Sequence, residues 1–259
     1  MPDATPSLVL VVWEKLFSSA SKFVEKRSGS GYCLVMLSER DYMRQPAGGV
    51  NWSATIVLLA LNIVAYVFQV TLMPRLIDSA YLALSLEGLL HGYLWQLLTF
   101  QFMHGSVMHL LLNCWALFIF GREVEFELGK PRFLTLYFLS GVIGGLFQML
   151  VSYLWPHYFA YSPDGSPISV VGASAGVFGV VAAFAMLYPT RRLTMLLFYV
   201  IPVNMKAKSL LWFCLIVAAL GIGFPNSVIQ TILGGNVAHA AHLGGILTGL
   251  ALVRRHPAV

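Results

Sequence analysis

Six long stretches of apolar residues are separated along the 259-residue chain by segments that carry most of its charged residues. Each stretch is close to the roughly 20 residues that an α-helix needs to cross the hydrocarbon core of a bilayer. The pattern predicts helices at about residues 53–73, 106–122, 132–154, 171–188, 207–224 and 237–253. The predicted architecture is therefore an all-α polytopic membrane protein with a bundle of six transmembrane helices.

The segments outside these stretches differ in character. Residues 8–27 place apolar side chains at helical spacing, which predicts an amphipathic helix on the membrane surface, with a partner-binding or disordered tail as the alternative. Residues 28–50 are rich in Gly and Ser and are predicted to be a linker. Loop 74–105 is unusually apolar and contains Trp95, which predicts short helices lying partly in the outer leaflet. The short apolar run 193–203 is expected to lie along the inner interface.

Composition and charge placement support the membrane assignment. The chain is 58% hydrophobic and 10% charged, against roughly 45–50% and 25% in soluble domains. Lys and Arg cluster before the first stretch, in the second and fourth loops and after the sixth stretch, and only Arg75 falls in an odd-numbered loop. The positive-inside rule therefore predicts that both termini are cytoplasmic. We expect a cytoplasmic extension over residues 1–50, a membrane domain over 51–255 and a cytoplasmic tail over 256–259.

Four polar residues fall at one depth in this topology. Ser174 lies at the start of the fourth stretch, and His242 lies near the start of the sixth. His109 and Asn113 are four residues apart in the second stretch and share one helix face. The second, fourth and sixth helices all run from outside to inside, so these side chains are predicted to meet near the outer surface. A single Ser, His or Asn in a membrane helix is explained by packing or a helix–helix hydrogen bond, but four at one depth are not.

The residue types indicate nucleophilic catalysis. A serine hydroxyl needs an adjacent base, and a neutral histidine is the usual one. The predicted spans offer no carboxylate at this depth, so a Ser–His dyad is the simplest arrangement, although a carboxylate from an outer loop, such as Asp164, is an alternative. Phe178, one turn below Ser174, is a candidate to lie against the imidazole.

Small residues recur every four positions in two of the stretches. Ala175, Gly179 and Ala183 form one stripe, and Ala241, Gly245 and Gly249 form the other. Such stripes let the backbones of membrane helices approach closely.

Three motifs make residues 51–255 resemble the rhomboid intramembrane serine proteases. They are Gly172-x-Ser174, His242-x-x-Gly245-x-x-x-Gly249 and His104-Gly105-x-x-x-His109-x-x-x-Asn113, and Glu125-x-x-x-Gly129 is similar to a structural motif of the same family. The resemblance implies that Ser174 is the nucleophile and His242 the general base. It also implies that His109, Asn113 and the Ser174 backbone N–H hold the oxyanion with support from Gly172, that His104 is structural, and that His239 is not the matching histidine.

The chain departs from the family pattern at three positions near the site. Ala175 stands where Gly is common, Phe178 where Tyr is frequent, and Gln96 where many members have Arg after the tryptophan. The first two changes preserve size and stacking. The third puts the anchoring of the outer loop in doubt.

The resemblance predicts an intramembrane serine endopeptidase that cleaves transmembrane segments of membrane proteins near the outer face. The bilayer is the other expected partner, and no nucleic acid, metal or other cofactor is expected. The expected location is a bacterial inner membrane with the site facing outward. The alternatives are a catalytically inactive chaperone or adaptor, which typically lacks the Ser or His, and a metal or ion site, which the absence of intramembrane carboxylates disfavours. The three cysteines, Cys33, Cys114 and Cys214, form no disulfide framework.

Overall fold

The computed structural model describes residues 52–162, 165–197, 201–225 and 237–254. The N-terminal extension, the C-terminal tail, Cys33 and Asp164 lie outside these residues. The predictions made for them are therefore not addressed by the structure. Cys114 and Cys214 are free thiols.

Six apolar helices coincide with the six predicted stretches. They are α1 (Ala54–Thr71), α2 (Val107–Leu128), α3 (Lys130–Leu154), α4 (Ser174–Leu187), α5 (Ala207–Gly223) and α6 (His239–Val253). By length and composition, α1, α2 and α3 can each cross a membrane. Helices α4, α5 and α6 have 14, 17 and 15 residues, and 14 residues span only about 21 Å. The described chain is therefore mostly helical, with three long and three shorter apolar helices.

The segment between α4 and α5 corrects the all-α prediction. Strands β1 (Arg192–Leu197) and β2 (Ile201–Lys206) form an antiparallel pair in which Arg192 faces Lys206. Leu193 faces Met205, and both pack against the core. The strands contain β-branched residues, among them Thr194, Ile201 and Val203, which favour extended chain.

The loop between α1 and α2 contains a series of short helices, as the sequence predicts. They are Met73–Leu76, Ser79–Tyr81, Leu86–Leu90, Gln96–Thr99 and Phe100–Phe102. Trp95 Nε1 donates to the Tyr81 carbonyl at 2.8 Å. Gln96 is buried, its Nε2 donates to the Ala80 carbonyl at 2.9 Å, and its Oε1 accepts from Ser85 N–H at 3.3 Å. Gln96, which stands where many family members have Arg, thus anchors this loop.

The two stripes of small residues bring α4 and α6 together. A Cβ added at Gly245 would collide with the carbonyl oxygen of Ala175, and one added at Gly249 would collide with that of Gly179. From α3, a Cβ at Gly144 would come within 2.8 Å of the Ala175 Cβ. The helices therefore meet backbone to backbone beside the first residue of α4.

A carboxylate from α2 caps the start of α1. Glu125 accepts from Ser53 Oγ at 2.6 Å, from Ala54 N–H at 2.7 Å and from Thr55 N–H at 2.9 Å. These N–H groups have no partner within the helix, and bonds to a charged acceptor are the stronger kind. The cap ties α1 to α2 at the end remote from Ser174.

Candidate active site

Ser174 is the first residue of α4. Its backbone N–H therefore has no acceptor within the helix. The chain enters the helix through Gly172, which has φ 130°, a conformation that favours glycine. A Cβ at Gly172 would lie 2.8 Å from His109 Nε2 and 3.6 Å from Ser174 Oγ. Glycine thus leaves room for the histidine beside the serine.

His242, in the first turn of α6, contacts the serine directly. Its Nε2 lies 2.8 Å from Ser174 Oγ, and the hydroxyl is the donor when the ring proton is on Nδ1. Phe178 stacks on the imidazole with centroids 4.2 Å apart and planes at 27°. Among the described residues no carboxylate hydrogen-bonds to His242, and Phe178 is the ring that stacks on its imidazole.

His109 and Asn113 of α2 complete the polar wall. Both line the same cavity as Ser174 and His242. Asn113 Nδ2 donates to the His109 carbonyl at 2.9 Å, which leaves its second N–H free to bind another acceptor. His109 Nδ1 accepts a hydrogen bond of 3.4 Å from Gly105 N–H, so the neutral ring carries its proton on Nε2, the nitrogen nearest Gly172.

Gly172 does not offer its own N–H to this wall. That group donates to the Phe100 carbonyl at 2.9 Å and joins the segment before α4 to the loop between α1 and α2. Gly172 therefore contributes to the site by leaving space for His109. Its predicted support of the oxyanion can only be steric, because its N–H is already bonded to Phe100.

Two further histidines lie close by but do not contact the serine. The His104 ring is buried and packs edge-on against His109, with centroids 5.1 Å apart. Its burial, together with the neighbouring His109, lowers the pKa of His104 to about 4, so the ring is neutral at pH 7. His239 is also buried; it packs closely against Gly221, and neither ring nitrogen has a hydrogen-bond partner. The structural role of His104 and the choice of His242 over His239 as the matching residue stay predictions from the sequence.

Two carboxamides near the site were not singled out from the sequence. Gln148 of α3 lines the cavity and accepts from Ala241 N–H at 3.3 Å. Gln69 of α1 hydrogen-bonds to the backbone of His104. The sequence signal that could have identified them is a single Gln within an apolar stretch, because polar groups in membrane helices usually have a hydrogen-bond partner.

The four polar side chains open onto a cavity of about 670 Å³. Its deeper walls are apolar and include Phe120, Val181 and Leu210. A peptide carbonyl placed beside Ser174 would meet a hydroxyl hydrogen-bonded to an imidazole and have several N–H donors within the same wall. This arrangement is suited to acyl transfer. Within the described ranges, no group of three or more His, Cys, Asp or Glu side chains is placed to hold a metal ion.

Comparison with known proteins gives consistent matches. A family model described as the Rhomboid domain matches residues 91–255. Rhomboid protease AarA of Providencia stuartii is 32% identical over 142 residues, which cover 50% of this chain and 48% of that protein. Rhomboid-like protease 3 of Toxoplasma gondii is 27% identical over 218 residues, covering 79% and 70% respectively. Putative rhomboid protease YdcA of Bacillus subtilis is 28% identical over 165 residues, covering 64% and 68%. The chain thus matches about half the length of the first relative and about 70% of the other two.

Proposed function

The chain belongs to the rhomboid family, and we propose that it is an intramembrane serine endopeptidase that cleaves transmembrane segments of other membrane proteins. The observation that carries the proposal is the 2.8 Å contact between His242 Nε2 and Ser174 Oγ at the wall of the cavity. A serine hydroxyl is a weak nucleophile until a base accepts its proton. The names of the relatives, several of them proteases, support the same class.

In the proposed reaction, His242 Nε2 takes the proton of Ser174 as Oγ attacks the scissile carbonyl carbon. The carbonyl oxygen becomes an oxyanion, which accepts hydrogen bonds from His109 Nε2–H, Asn113 Nδ2–H and the Ser174 N–H. The imidazolium then protonates the leaving amine, and the C–N bond breaks to leave an acyl-enzyme. A water molecule then attacks the acyl carbonyl as His242 takes its proton, the ester bond to Ser174 Oγ breaks, and His242 returns the proton to Oγ, which releases the carboxylic acid product and restores the serine.

Phe178 takes the place of an orienting acid in this scheme. Its ring stacks on the imidazole at 4.2 Å and limits rotation of the base. The Ser–His pair then acts as a dyad, with the ring proton on Nδ1 while Nε2 accepts from the serine. Both members of the pair are present in this chain, which argues against the inactive chaperone or adaptor.

The topology that we propose places the site near the outer face of a bacterial inner membrane. Six spans over a membrane domain of residues 51–255, with both termini cytoplasmic, account for the one-sided distribution of Lys and Arg. A substrate helix protects its scissile amide within the i→i−4 hydrogen-bond ladder. We therefore expect cuts near small or helix-breaking residues in the outer third of the substrate helix.

The test is cleavage of a model transmembrane substrate by protein in proteoliposomes, with parallel labelling by a fluorophosphonate. Wild-type protein should be labelled at Ser174 and should cut the substrate. Folded Ser174→Ala should do neither. Ser169→Ala is the matched control, because this serine lines the same cavity without a histidine partner, and it should retain both activities. Comparable turnover by Ser174→Ala would end the protease proposal, and folded wild-type protein that neither cuts nor is labelled would favour the inactive alternative.

A further inference from the structure

Gln69 joins the outer end of α1 to the segment that leads into α2. Its Nε2 donates to the His104 carbonyl at 2.8 Å, and its Oε1 accepts from the His104 N–H at 2.9 Å. Both polar atoms of the carboxamide are thus used on one residue, 35 positions away in the chain. Two bonds of this length fix the position of the His104 backbone relative to α1.

We call the two hydrogen bonds from Gln69 to the His104 backbone the Gln69 clamp. The clamp also affects the peptide bond that follows His104. The His104 carbonyl and the Gly105 N–H belong to one planar peptide unit. When Gln69 fixes the direction of the carbonyl, it also fixes the direction of the Gly105 N–H. That N–H donates to His109 Nδ1 at 3.4 Å. A continuous path of hydrogen bonds therefore runs from α1 to the imidazole of His109.

The path determines which nitrogen of His109 carries the proton. A neutral imidazole whose Nδ1 accepts a hydrogen bond must carry its hydrogen on Nε2. Nε2 is the nitrogen that faces Gly172 and Ser174, because a Cβ at Gly172 would lie 2.8 Å from His109 Nε2 and 3.6 Å from Ser174 Oγ. The buried His104 ring packs edge-on against His109 at 5.1 Å. The ring is thus held by a hydrogen bond and by packing.

We propose that Gln69 is a positioning residue that keeps His109 in the Nε2–H tautomer and directs this donor to the oxyanion. The proposal rests on the proposed function, because His109 needs a particular tautomer only if it stabilises an oxyanion. Gln69 lies on α1, outside the helices that carry the proposed nucleophile, base and oxyanion donors, and acts through the His104–Gly105 peptide.

The direct test is a measurement of the His109 tautomer in wild-type protein by ¹⁵N NMR of the ring nitrogens. The expected result is a protonated Nε2 and an unprotonated, hydrogen-bonded Nδ1. Gln69→Met, which keeps the length of the side chain and removes both bonds, should shift the His109 signals towards a mixture of tautomers. A wild-type ring protonated on Nδ1 would overturn the proposal. This measurement does not require turnover, so it remains informative if the protein proves to be inactive.

Kinetics provide the second test. Gln69→Met should lower kcat by about tenfold, less than the 10²–10³ typical of losing an oxyanion donor, with KM within about twofold of wild type. In a His109→Ala background the same change should cause no further loss of kcat, because its effect passes through that ring. Additive losses, or an unchanged kcat in folded Gln69→Met, would contradict the positioning role.

Asn62→Leu is the matched control. Asn62 is a buried carboxamide of α1 that donates to the Leu58 carbonyl of its own helix at 2.8 Å. It lies seven residues before Gln69, or about 10 Å along the helix axis. The variant should leave kcat and the His109 signals unchanged. A loss of kcat equal to that of Gln69→Met would mean that α1 as a whole is responsible and would refute the specific role of Gln69.

Discussion

Replacement of Gly245 by alanine tests whether close contact between α4 and α6 sets the catalytic distance. A Cβ at this position would collide with the Ala175 carbonyl oxygen and lie 2.9 Å from its carbonyl carbon. Ala175 directly follows Ser174, and His242 precedes Gly245 by three residues, about one helical turn. A methyl group here therefore acts where the two helices carry the proposed nucleophile and base.

The size of the effect follows from the contact distances. Carbon atoms pack at about 3.5–4.0 Å, so relief of the contact with the carbonyl carbon alone requires the backbones to separate by at least about 0.6–1.1 Å. If the helices part by that amount, the Ser174–His242 distance rises from 2.8 Å to about 3.4–3.9 Å, beyond an ordinary hydrogen bond. A misplacement of about 1 Å can cost 10²-fold in rate. We expect Gly245→Ala to lower kcat by about that factor and the free energy of unfolding by about 1–3 kcal/mol.

The assay combines substrate cleavage in proteoliposomes with fluorophosphonate labelling and thermal unfolding in detergent. Labelling should slow in parallel with kcat, because the activation of Ser174 itself is lost. Gly223→Ala is the control, since a Cβ at the last residue of α5 meets no atom within 4 Å, and it should keep wild-type kcat. A folded Gly245→Ala variant with kcat within about threefold of wild type would refute the reasoning, because the dyad would then tolerate the displaced helix.

The remaining predictions test other parts of the site and the fold. His242→Ala should lower kcat about as much as loss of the serine, because members of one catalytic unit are not additive, whereas His239→Ala should keep substantial activity; exchanged results would reassign the base. Asn113→Ala should lower kcat by up to about 10²–10³-fold with labelling by a small fluorophosphonate largely intact, and an unchanged kcat in a folded variant would remove Asn113 from the oxyanion site. Glu125→Gln should lower the free energy of unfolding by about 2 kcal/mol in chemical denaturation, and an equal loss in the exposed control Glu127→Gln would contradict the capping role.

The proximity of the site residues could be predicted because it follows from helix periodicity. His109 and Asn113 share a face through their spacing of four, and Ser174 and His242 stand near the starts of apolar stretches that alternate in direction. The stacking of Phe178 on His242 followed from its position one turn below the serine. These predictions required only the rise of an α-helix and the order of the spans.

Contacts between residues far apart in sequence could not be predicted in this way. The clamp of Gln69 on His104 depends on how α1 docks against the loop before α2, and neither residue type specifies the other. The same applies to the hydrogen bond that the Gly172 N–H donates to the Phe100 carbonyl. Local periodicity contains no information about such pairings.

The hairpin between α4 and α5 was missed for a different reason. The run 193–203 is short and apolar apart from Thr194 and Pro202, so neither a helical period nor a sustained strand alternation can be detected in it. Its conformation is instead apparent in the pairing of Arg192 with Lys206 and of Leu193 with Met205. At its described end the pair does alternate, since Arg192 and Thr194 are exposed while Leu193 packs against the core, but three residues are too few to identify a strand from sequence.

The two stripes of small residues suggest how the proposed base, His242, is oriented among the described residues, none of which offers it a carboxylate. The contact of Gly245 with Ala175 sets the distance between α4 and α6, and the contact of Gly249 with Gly179, one turn below, sets their relative direction. With both fixed, Phe178 has only to limit the rotation of the imidazole. An ionised carboxylate within an apolar bundle would carry a large desolvation cost, whereas backbone contact between glycines carries none. Orientation by packing is therefore the less costly solution at this depth, and for that reason Gly245→Ala should impair the reaction although Gly245 contacts no reacting atom.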